Sequence, residues 1–185
     1  MDISRKMDKI SFIFYMNSLK PSLEQSTASF VLNIKSKEEL VGAYDNIITR
    51  VKTHNPKAKI HGILVQEMVP QGLEIIVGAV KDAFFGHAIM FGLGGIFVEV
   101  LKDVSFRVVP VTREDVLEMM KEIKGYQLLK GYRGQPPRDE EAIVDIILKL
   151  SRMLEELQEI KELDLNPIMV YEVGKGAKIV DARII

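Results

Sequence analysis

A glycine-rich segment in the middle of the chain has the composition of an anion-binding turn. Residues 91–99 are Phe-Gly-Leu-Gly-Gly-Ile-Phe-Val-Glu and follow a segment with strand-like sequence. Glycine lets the backbone approach a ligand closely and turn its N–H groups toward negative charge. The segment has neither the setting of a dinucleotide-binding loop nor the Lys-Ser/Thr pair of a P-loop. A tight structural turn therefore stays open beside a phosphate-binding turn, and the nearby Glu99 and Arg107 favour the second.

A second group of residues, near the carboxyl end, has the types that bind magnesium. Asn166 precedes Pro167, which favours extended backbone at the asparagine. Asp181 follows 15 positions later (181 − 166 = 15), on the predicted neighbouring strand of a hairpin. An amide oxygen and a carboxylate on adjacent strands suit Mg²⁺, which takes few protein oxygens and completes its shell with water and phosphate. The alternative is a structural turn at Asn166 and a strand-end role for Asp181.

The end of a predicted strand at residues 65–69 is a third candidate. Glu67 and Val69 lie there, directly before Pro70, and Glu74 follows on the next predicted strand. A polar side chain and backbone groups at a strand exit can bind an adenine edge or a ribose, whereas a solvated surface glutamate is the alternative. The histidines lack a nucleophile pattern or zinc-like spacing, so no catalytic or zinc-binding histidine is predicted; they are His54, His61 and His87.

Composition and charge limit the classes of function. The chain has 185 residues, 47% hydrophobic and 28% charged, which is typical of a globular domain or of two small lobes. A formal net charge of −1 predicts no general attraction to nucleic acid or to an anionic membrane. The absence of cysteine excludes disulfides, thiolate metal sites and cysteine nucleophiles. No apolar run reaches the roughly 18 residues that span a bilayer, and no signal peptide is predicted, so we expect a cytoplasmic protein.

Hydrophobic periodicity predicts the elements that must position these candidates. Helical spacing with capping residues at the start occurs in residues 36–55, 112–124 and 139–157. Strand-like patterns occur in residues 60–69, 73–80, 87–91, 104–111, 162–171 and 177–184. Residues 60–69 and 73–80 are predicted to form a hairpin across Pro70. Helices and strands mixed without strict alternation predict an α+β fold around a mainly antiparallel sheet.

Six short motifs, taken in order, resemble the nucleotide-binding β subunit of ADP-forming acetyl-CoA (acyl-CoA) synthetases. They are Leu-Asn-Ile-Lys-Ser at 32–36, Val-Gln-Glu-Met-Val at 65–69, Phe-Gly-Leu-Gly-Gly-Ile-Phe-Val-Glu-Val-Leu-Lys-Asp at 91–103, Leu-Leu-Lys-Gly-Tyr-Arg-Gly at 128–134, Leu-Asp-Leu-Asn-Pro at 163–167 and Val-Asp-Ala-Arg at 180–183. The resemblance covers residues 32–185, the expected ATP-grasp nucleotide-binding domain, and leaves residues 1–31 as a divergent N-terminal segment.

The resemblance implies an ATP-grasp fold, in which two lobes hold ATP between antiparallel sheets. It also implies the reaction acyl-CoA + ADP + phosphate ⇌ acid + CoA + ATP, through a phosphohistidine on a CoA-binding α subunit, with ATP or ADP and Mg²⁺ as the bound cofactors. By position in the motifs it implies nucleotide contacts at Glu67, Val69, Glu74, Gly94 and Gly95, catalytic roles for Glu99 and Arg107, and Mg²⁺ ligands at Asn166 and Asp181.

The N-terminal segment departs from the family pattern. Members carry a phosphate-contacting lysine, a His-Lys-Ser-Asp-type segment and a glycine pair before the position of residue 32, whereas residues 23–31 here are Leu-Glu-Gln-Ser-Thr-Ala-Ser-Phe-Val. We therefore expect an incomplete N-terminal lobe and no β-side phosphohistidine. Two functions follow: a subunit active only with its α partner, or a non-catalytic remnant or docking module. Apolar surface left uncovered by a reduced lobe also predicts self-association.

Overall fold

The structure is a computed structural model that describes residues 10–13, 30–58, 60, 62–95, 98 and 100–185. The chain divides into two units, residues 1–69 and residues 70–185. Most of the predicted divergent segment 1–31 lies outside the described residues, and so do His61 and Glu99.

The first unit combines a three-stranded antiparallel sheet with one helix. Strand β1 (Ile10–Ile13) lies between β2 (Phe30–Ile34) and β3 (Leu64–Glu67). Helix α1 (Lys37–His54) buries residues spaced four apart, which places them on one face of the helix. This face, together with the end of β2, forms a small core of Ile34, Ala43, Ile47 and Val51.

The predicted cap of α1 is confirmed in a modified form. The Ser36 hydroxyl accepts a hydrogen bond from the Glu39 N–H at 3.1 Å, as the N-cap pattern predicts. The Glu39 carboxylate accepts from the Lys35 N–H at 2.7 Å, one residue before the cap. Two N–H groups at the helix start are thereby satisfied by side chains that the sequence identifies.

The predicted hairpin across Pro70 is wrong. Strand β3 pairs with β1, whereas β4 (Leu73–Asp82) belongs to the sheet of the second unit. There β4 is hydrogen-bonded on both edges, to β5 (Gly86–Leu93) and to β7 (Glu162–Val170). Because both edges of β4 are already hydrogen-bonded to other strands, β4 cannot also pair with β3.

The second unit is built on a six-stranded sheet in the order β6–β5–β4–β7–β8, with β9 also paired to β7. The remaining strands are β6 (Val104–Val108), β8 (Ala177–Ile179) and β9 (Ala182–Ile184). All the recorded strand pairs are antiparallel. The predicted closing strand 177–184 is therefore divided into β8 and β9, with Val180 and Asp181 between them.

Three helices cover one face of this sheet: α2 (Arg113–Glu122), α3 (Tyr126–Leu129) and α4 (Glu140–Glu156). The odd-numbered residues of β4 and β5 point to this face, as strand alternation requires. They form the main core with apolar residues of the helices, including Ile75, Val77, Ile89, Phe91, Met119, Met120, Ile143, Ile147 and Leu154. The opposite face of the sheet carries the even-numbered side chains.

Strand β7 contains a β-bulge at Asn166 and Pro167, which are joined by a cis peptide bond. Leu165 pairs with Val77 and Ile168 with Ile75, so three steps along β7 match two along β4. The extra residue changes which side chains of β7 face the core. Before the bulge the buried residues are the odd-numbered Leu163 and Leu165, and after it they are the even-numbered Ile168 and Val170.

The loop before α4 supplies a test of close packing. Gly131 has φ +92°, and a Cβ there would lie 2.6 Å from the Gln135 carbonyl oxygen. Gly134 has φ +82°, and a Cβ there would meet no described atom within 4 Å. We expect Gly131→Ala to lower the free energy of unfolding by about 3 kcal/mol and Gly134→Ala by about 1 kcal/mol, since only the first adds a clash to backbone strain. Equal losses in urea titrations would contradict the packing explanation.

Within the described part of the chain, none of the helices combines the length and the apolar character needed to cross a bilayer.

Candidate nucleotide and metal site

The face of the second sheet opposite α2, α3 and α4 has a glycine in each of two neighbouring cross-strand rows. Gly78 on β4 lies between Met90 on β5 and Asp164 on β7 in the same cross-strand row. In the next row, Ile76 lies opposite Gly92. A Cβ on Gly92 would lie 2.9 Å from the Asp103 carbonyl oxygen, so glycine here permits the segment before β6 to pack against β5.

The two predicted magnesium ligands are neighbours in the structure. The Asn166 N–H donates to the Asp181 carbonyl oxygen at 3.2 Å, and the Val180 N–H donates to the Pro167 carbonyl at 3.0 Å. These bonds hold the segment between β8 and β9 against the bulge of β7. The Asn166 and Asp181 side chains are exposed, and one Asp181 carboxylate oxygen accepts from the Ala182 N–H at 2.9 Å.

Asp164 is a further member of this group that the sequence-based candidates omitted. Burial raises the pKa of the Asp164 carboxyl above its usual range. The neighbouring carboxylates of Glu162 and Asp181 raise this pKa further, while Arg183 lowers it. A carboxyl group whose pKa is raised by neighbouring carboxylates is stabilised in its ionised form by a bound cation. Asp164 lies two residues before Asn166, and strand alternation places such residues on the same face of the sheet. This spacing is the sequence feature from which Asp164 could have been predicted.

The donor set of this group fits magnesium. Asp164, Asn166 and Asp181 offer carboxylate and amide oxygens, the hard ligands that Mg²⁺ prefers. No three histidine, cysteine or acidic side chains of the described residues form a complete metal site. Magnesium at nucleotide sites characteristically takes only one or two carboxylates and completes its shell with phosphate and water. A partial set of protein oxygens is therefore the arrangement expected for a nucleotide-bound metal.

The structure also brings three of the predicted nucleotide-binding residues together. The Gly94 N–H donates to the Glu74 carbonyl oxygen at 2.8 Å, so the glycine turn lies against the start of β4. A Cβ on Gly94 would be 2.9 Å from the Glu74 Cβ, and glycine permits this approach. Gly95 has φ +61°, and a Cβ on it would be 3.7 Å from a Glu74 carboxylate oxygen. The predicted catalytic Glu99 lies outside the described residues.

The predicted nucleotide contacts Glu67 and Val69 belong to the first unit. Glu67 is the last residue of β3, where it pairs with Ile10 of β1, and Val69 follows just beyond the strand. The Glu67 side chain is exposed. Their contact with the nucleotide stays a prediction.

Arg107 lies on the helix-covered face of the second sheet. Its guanidinium donates two hydrogen bonds to the Glu122 carboxylate, at 3.0 Å and 2.5 Å, and approaches Glu118 at 3.6 Å. The hydrogen bond to Glu122 raises the pKa of Arg107 and lowers that of Glu122. The structure thus ties Arg107 to helix α2 and does not place it with Gly94, Gly95 or Asn166. Its catalytic role stays a prediction.

Comparison with known proteins identifies the family. The model of the ATP-grasp domain matches residues 18–185. The β subunit of ADP-forming acetate–CoA ligase II from Pyrococcus furiosus is 49% identical over 181 residues, which cover 96% of this chain and 77% of that subunit. A solved structure of Ca. Korarchaeum cryptofilum acetyl-coenzyme A synthetase 1, in complex with coenzyme A, Ca-AMPCP and HgCl+, superposes with a TM-score of 0.85 at 44% identity, covering 98% of this chain and 78% of that one.

A second structure of that synthetase contains coenzyme A and Mg-AMPPCP, with a phosphohistidine segment pointing towards the nucleotide binding site. It matches with a TM-score of 0.79 at 40% identity, over 95% of this chain and 75% of that one. The predicted fold class, an ATP-grasp α+β fold with a mainly antiparallel sheet, is confirmed by these matches and by the strand pairing. The chain belongs to the ATP-grasp family and, within it, to the β subunits of the ADP-forming acetate–CoA ligases.

Proposed function

We propose that the chain is the nucleotide-binding subunit of an ADP-forming acid–CoA ligase, which catalyses acyl-CoA + ADP + phosphate ⇌ acid + CoA + ATP. The observation that carries the proposal is the pairing of Asn166 with Asp181 at the β7 bulge, in a chain 49% identical to such a subunit. The alternative, a non-catalytic remnant or docking module, is not favoured. The residues proposed to bind phosphate, Gly94 and Gly95, and those proposed to bind the metal, Asn166 and Asp181, are all present in the second unit.

Mg²⁺ supplies positive charge that offsets the charge of the phosphates during phosphoryl transfer. In this chain Asn166 and Asp181 would hold the ion, and Asp164, whose pKa is raised in part by the charge of Asp181, would add negative charge beside it. The bulge orients these side chains before any ligand arrives, since backbone hydrogen bonds fix it on both sides. Such preorganisation reduces the cost of ordering the site when the metal nucleotide binds.

Glu74, Gly94 and Gly95 lie next to one another, and we propose that they contact different parts of the nucleotide. The Gly94 N–H is already donated to Glu74, so the phosphate contact is assigned to the turn at Gly95. The Glu74 carboxylate can accept hydrogen bonds from ribose hydroxyls. We therefore assign Glu74 to the sugar and Gly95 to a phosphate.

A CoA-binding α subunit is the proposed partner. The reaction needs a phosphoryl carrier, and the phosphohistidine segment of the Korarchaeum synthetase is such a group. The identity of the acyl group would then depend on that partner. Turnover is expected only when the two subunits are combined.

Calorimetric titration with ADP tests the proposal. We expect saturable binding in the presence of Mg²⁺ and binding weakened at least tenfold in excess EDTA, because the metal bridges phosphate and protein oxygens. AMP serves as the control ligand, since it lacks the β-phosphate, and its binding should depend little on Mg²⁺. If a chain that unfolds cooperatively gives no heat of binding at millimolar ADP, the result would support the alternative, a non-catalytic remnant.

A further inference from the structure

Arg183 lies beside the candidate metal ligands on one face of the second sheet. It is paired directly with Asp164 across β9 and β7, and Asp164 is paired in turn with Gly78 of β4. Side chains of directly opposed residues share a face of the sheet. Leu163 and Leu165, on either side of Asp164, are buried in the core under the helices, so Asp164 and Arg183 lie on the opposite face.

The Arg183 guanidinium has no protein partner in the part of the chain that the structure describes. Arg183 is exposed, and no ion pair or side-chain hydrogen bond joins it to another described residue. Its charge nevertheless acts on Asp164. Burial raises the pKa of Asp164, the charges of Glu162 and Asp181 raise this pKa further, and the charge of Arg183 lowers it. The guanidinium is therefore near these carboxylates while its donors remain available to a ligand.

A guanidinium in this position suits a phosphate. Its N–H donors form a planar fork that can bond two oxygens of one phosphate, and it keeps its positive charge at all physiological pH values. A phosphate that approaches the carboxylates of Asp164 and Asp181 is repelled by their charge. Positive charge on the protein, in addition to that of a metal ion, offsets this repulsion.

Backbone hydrogen bonds hold Arg183 in place on both sides. Before it, the Asn166 N–H donates to the Asp181 carbonyl oxygen at 3.2 Å, and after it, the Ile185 N–H donates to the Glu162 carbonyl at 2.9 Å. Asp181 lies two residues before Arg183, and in extended backbone this spacing places both side chains on the same face. Arg183 is thus positioned beside the proposed metal ligand by the same strand pairing that orients that ligand.

We propose that Arg183 is a phosphate-binding residue whose guanidinium donates hydrogen bonds to the β-phosphate of the metal-bound nucleotide. The inference rests on the proposed function, which assigns the magnesium nucleotide to Asn166 and Asp181. Mg²⁺ at nucleotide sites joins protein oxygens to phosphate oxygens. A phosphate that shares the ion with Asp181 would lie beside the side chain two residues further on. Arg183 then adds a direct contact between protein and phosphate to the one made through the metal.

Calorimetric titration of an Arg183→Gln variant with ADP in the presence of Mg²⁺ tests the proposal. We expect the affinity to fall about 20-fold, because a charge-assisted contact with phosphate is lost. If Arg183 only offset the charge of the carboxylates, the effect would have the opposite sign. Removing a positive charge near Asp164 and Asp181 would then favour the metal ion, and Mg-ADP would bind as tightly or more tightly. Unchanged or tighter binding therefore overturns the proposal.

AMP shows which phosphate is contacted. Because AMP lacks the β-phosphate, its affinity for wild type and for Arg183→Gln should agree within twofold. A loss of AMP affinity as large as the loss of ADP affinity would overturn the assignment to the β-phosphate. Arg183→Lys retains the charge but not the planar fork, and we expect it to bind ADP about fivefold more weakly than wild type. Should Arg183→Gln fail to fold in a thermal melt, Arg183→Lys decides, and unchanged ADP affinity in that variant contradicts the proposal.

Arg152→Gln is the matched control. It removes one positive charge from the exposed surface of α4, where Arg152 pairs with Glu156 at 3.1 Å, and ADP affinity should stay within twofold of the wild type. If Asn166→Ala weakens Mg-ADP binding and Arg183→Gln does not, the role of Arg183 is wrong and the proposed function stands. If the wild-type chain binds no ADP, the proposed function fails and this inference fails with it.

Discussion

Substitution of Asn166 or Asp181 by alanine is expected to weaken Mg²⁺-dependent ADP binding roughly 100-fold, the largest functional effect foreseen for this chain. Each change removes one oxygen from a set that is already small, and Mg²⁺ demands near-ideal octahedral geometry. The backbone bond between the two residues survives, because it joins the Asn166 N–H to the Asp181 carbonyl. The loss should therefore be seen in calorimetry without a change in the melting temperature larger than a few degrees.

Asp145→Ala provides the matched control. It removes one carboxylate from the exposed surface of α4, where Asp145 pairs with Lys149 at 2.7 Å, so the net charge changes as it does in Asp181→Ala. Exposed pairs of this kind contribute less than about 1 kcal/mol, and ADP affinity should stay within twofold of the wild type. Wild-type affinity in a folded Asp181→Ala variant would remove this residue from the metal site.

Asp139→Ala should cause the largest loss of stability, about 3–5 kcal/mol in the free energy of unfolding. The Asp139 side chain is only 8% exposed and accepts three backbone hydrogen bonds. One comes from the Ala142 N–H at the start of α4, at 3.2 Å, and two come from Gly174 and Gly176 in the turn after β7, both at 2.9 Å. Removing the carboxylate leaves these donors without their acceptor, and each buried loss costs about 1–3 kcal/mol.

Urea titration measures this loss, with Asp115→Ala as the comparison. Asp115 completes the capping box of α2 from a half-buried position, and its loss should cost only about 1 kcal/mol. Asp139→Asn should give an intermediate value, since an amide oxygen can still accept bonds. A loss below 1 kcal/mol for Asp139→Ala would show that water replaces the carboxylate.

Local chemistry made much of the fold predictable from the sequence. The caps at Ser36 and Thr112 determine where α1 and α2 begin, because their hydroxyls satisfy N–H groups that the helix itself cannot. The pairing of Asn166 with Asp181 could be anticipated from two adjacent strands of a hairpin. These predictions depend on residues close in sequence or joined by one turn.

The sequence did not predict which strands distant in the chain pair with each other, or which face of a strand is buried. The extended segments on either side of Pro70 do not reveal that β4 is filled on both edges by β5 and β7. In β6 the apolar residues Val104, Phe106 and Val108 alternate with Ser105 and Arg107, and alternation alone would turn the apolar set inward. The structure buries Ser105, whose hydroxyl donates to the Met119 carbonyl at 2.9 Å, and leaves Phe106 55% exposed. Arg107 consequently faces α2.

The bulge in β7 also constrains how this segment can evolve. A deletion of one residue at 166 or 167 would restore simple alternation and keep Ile168 and Val170 in the core, because two steps along β7 would then match two along β4. The same deletion would remove or displace the Asn166 side chain, so metal binding would be lost while the core stayed intact. Homologous chains should therefore vary here by substitution while keeping the residue count between Leu163 and Val170 constant.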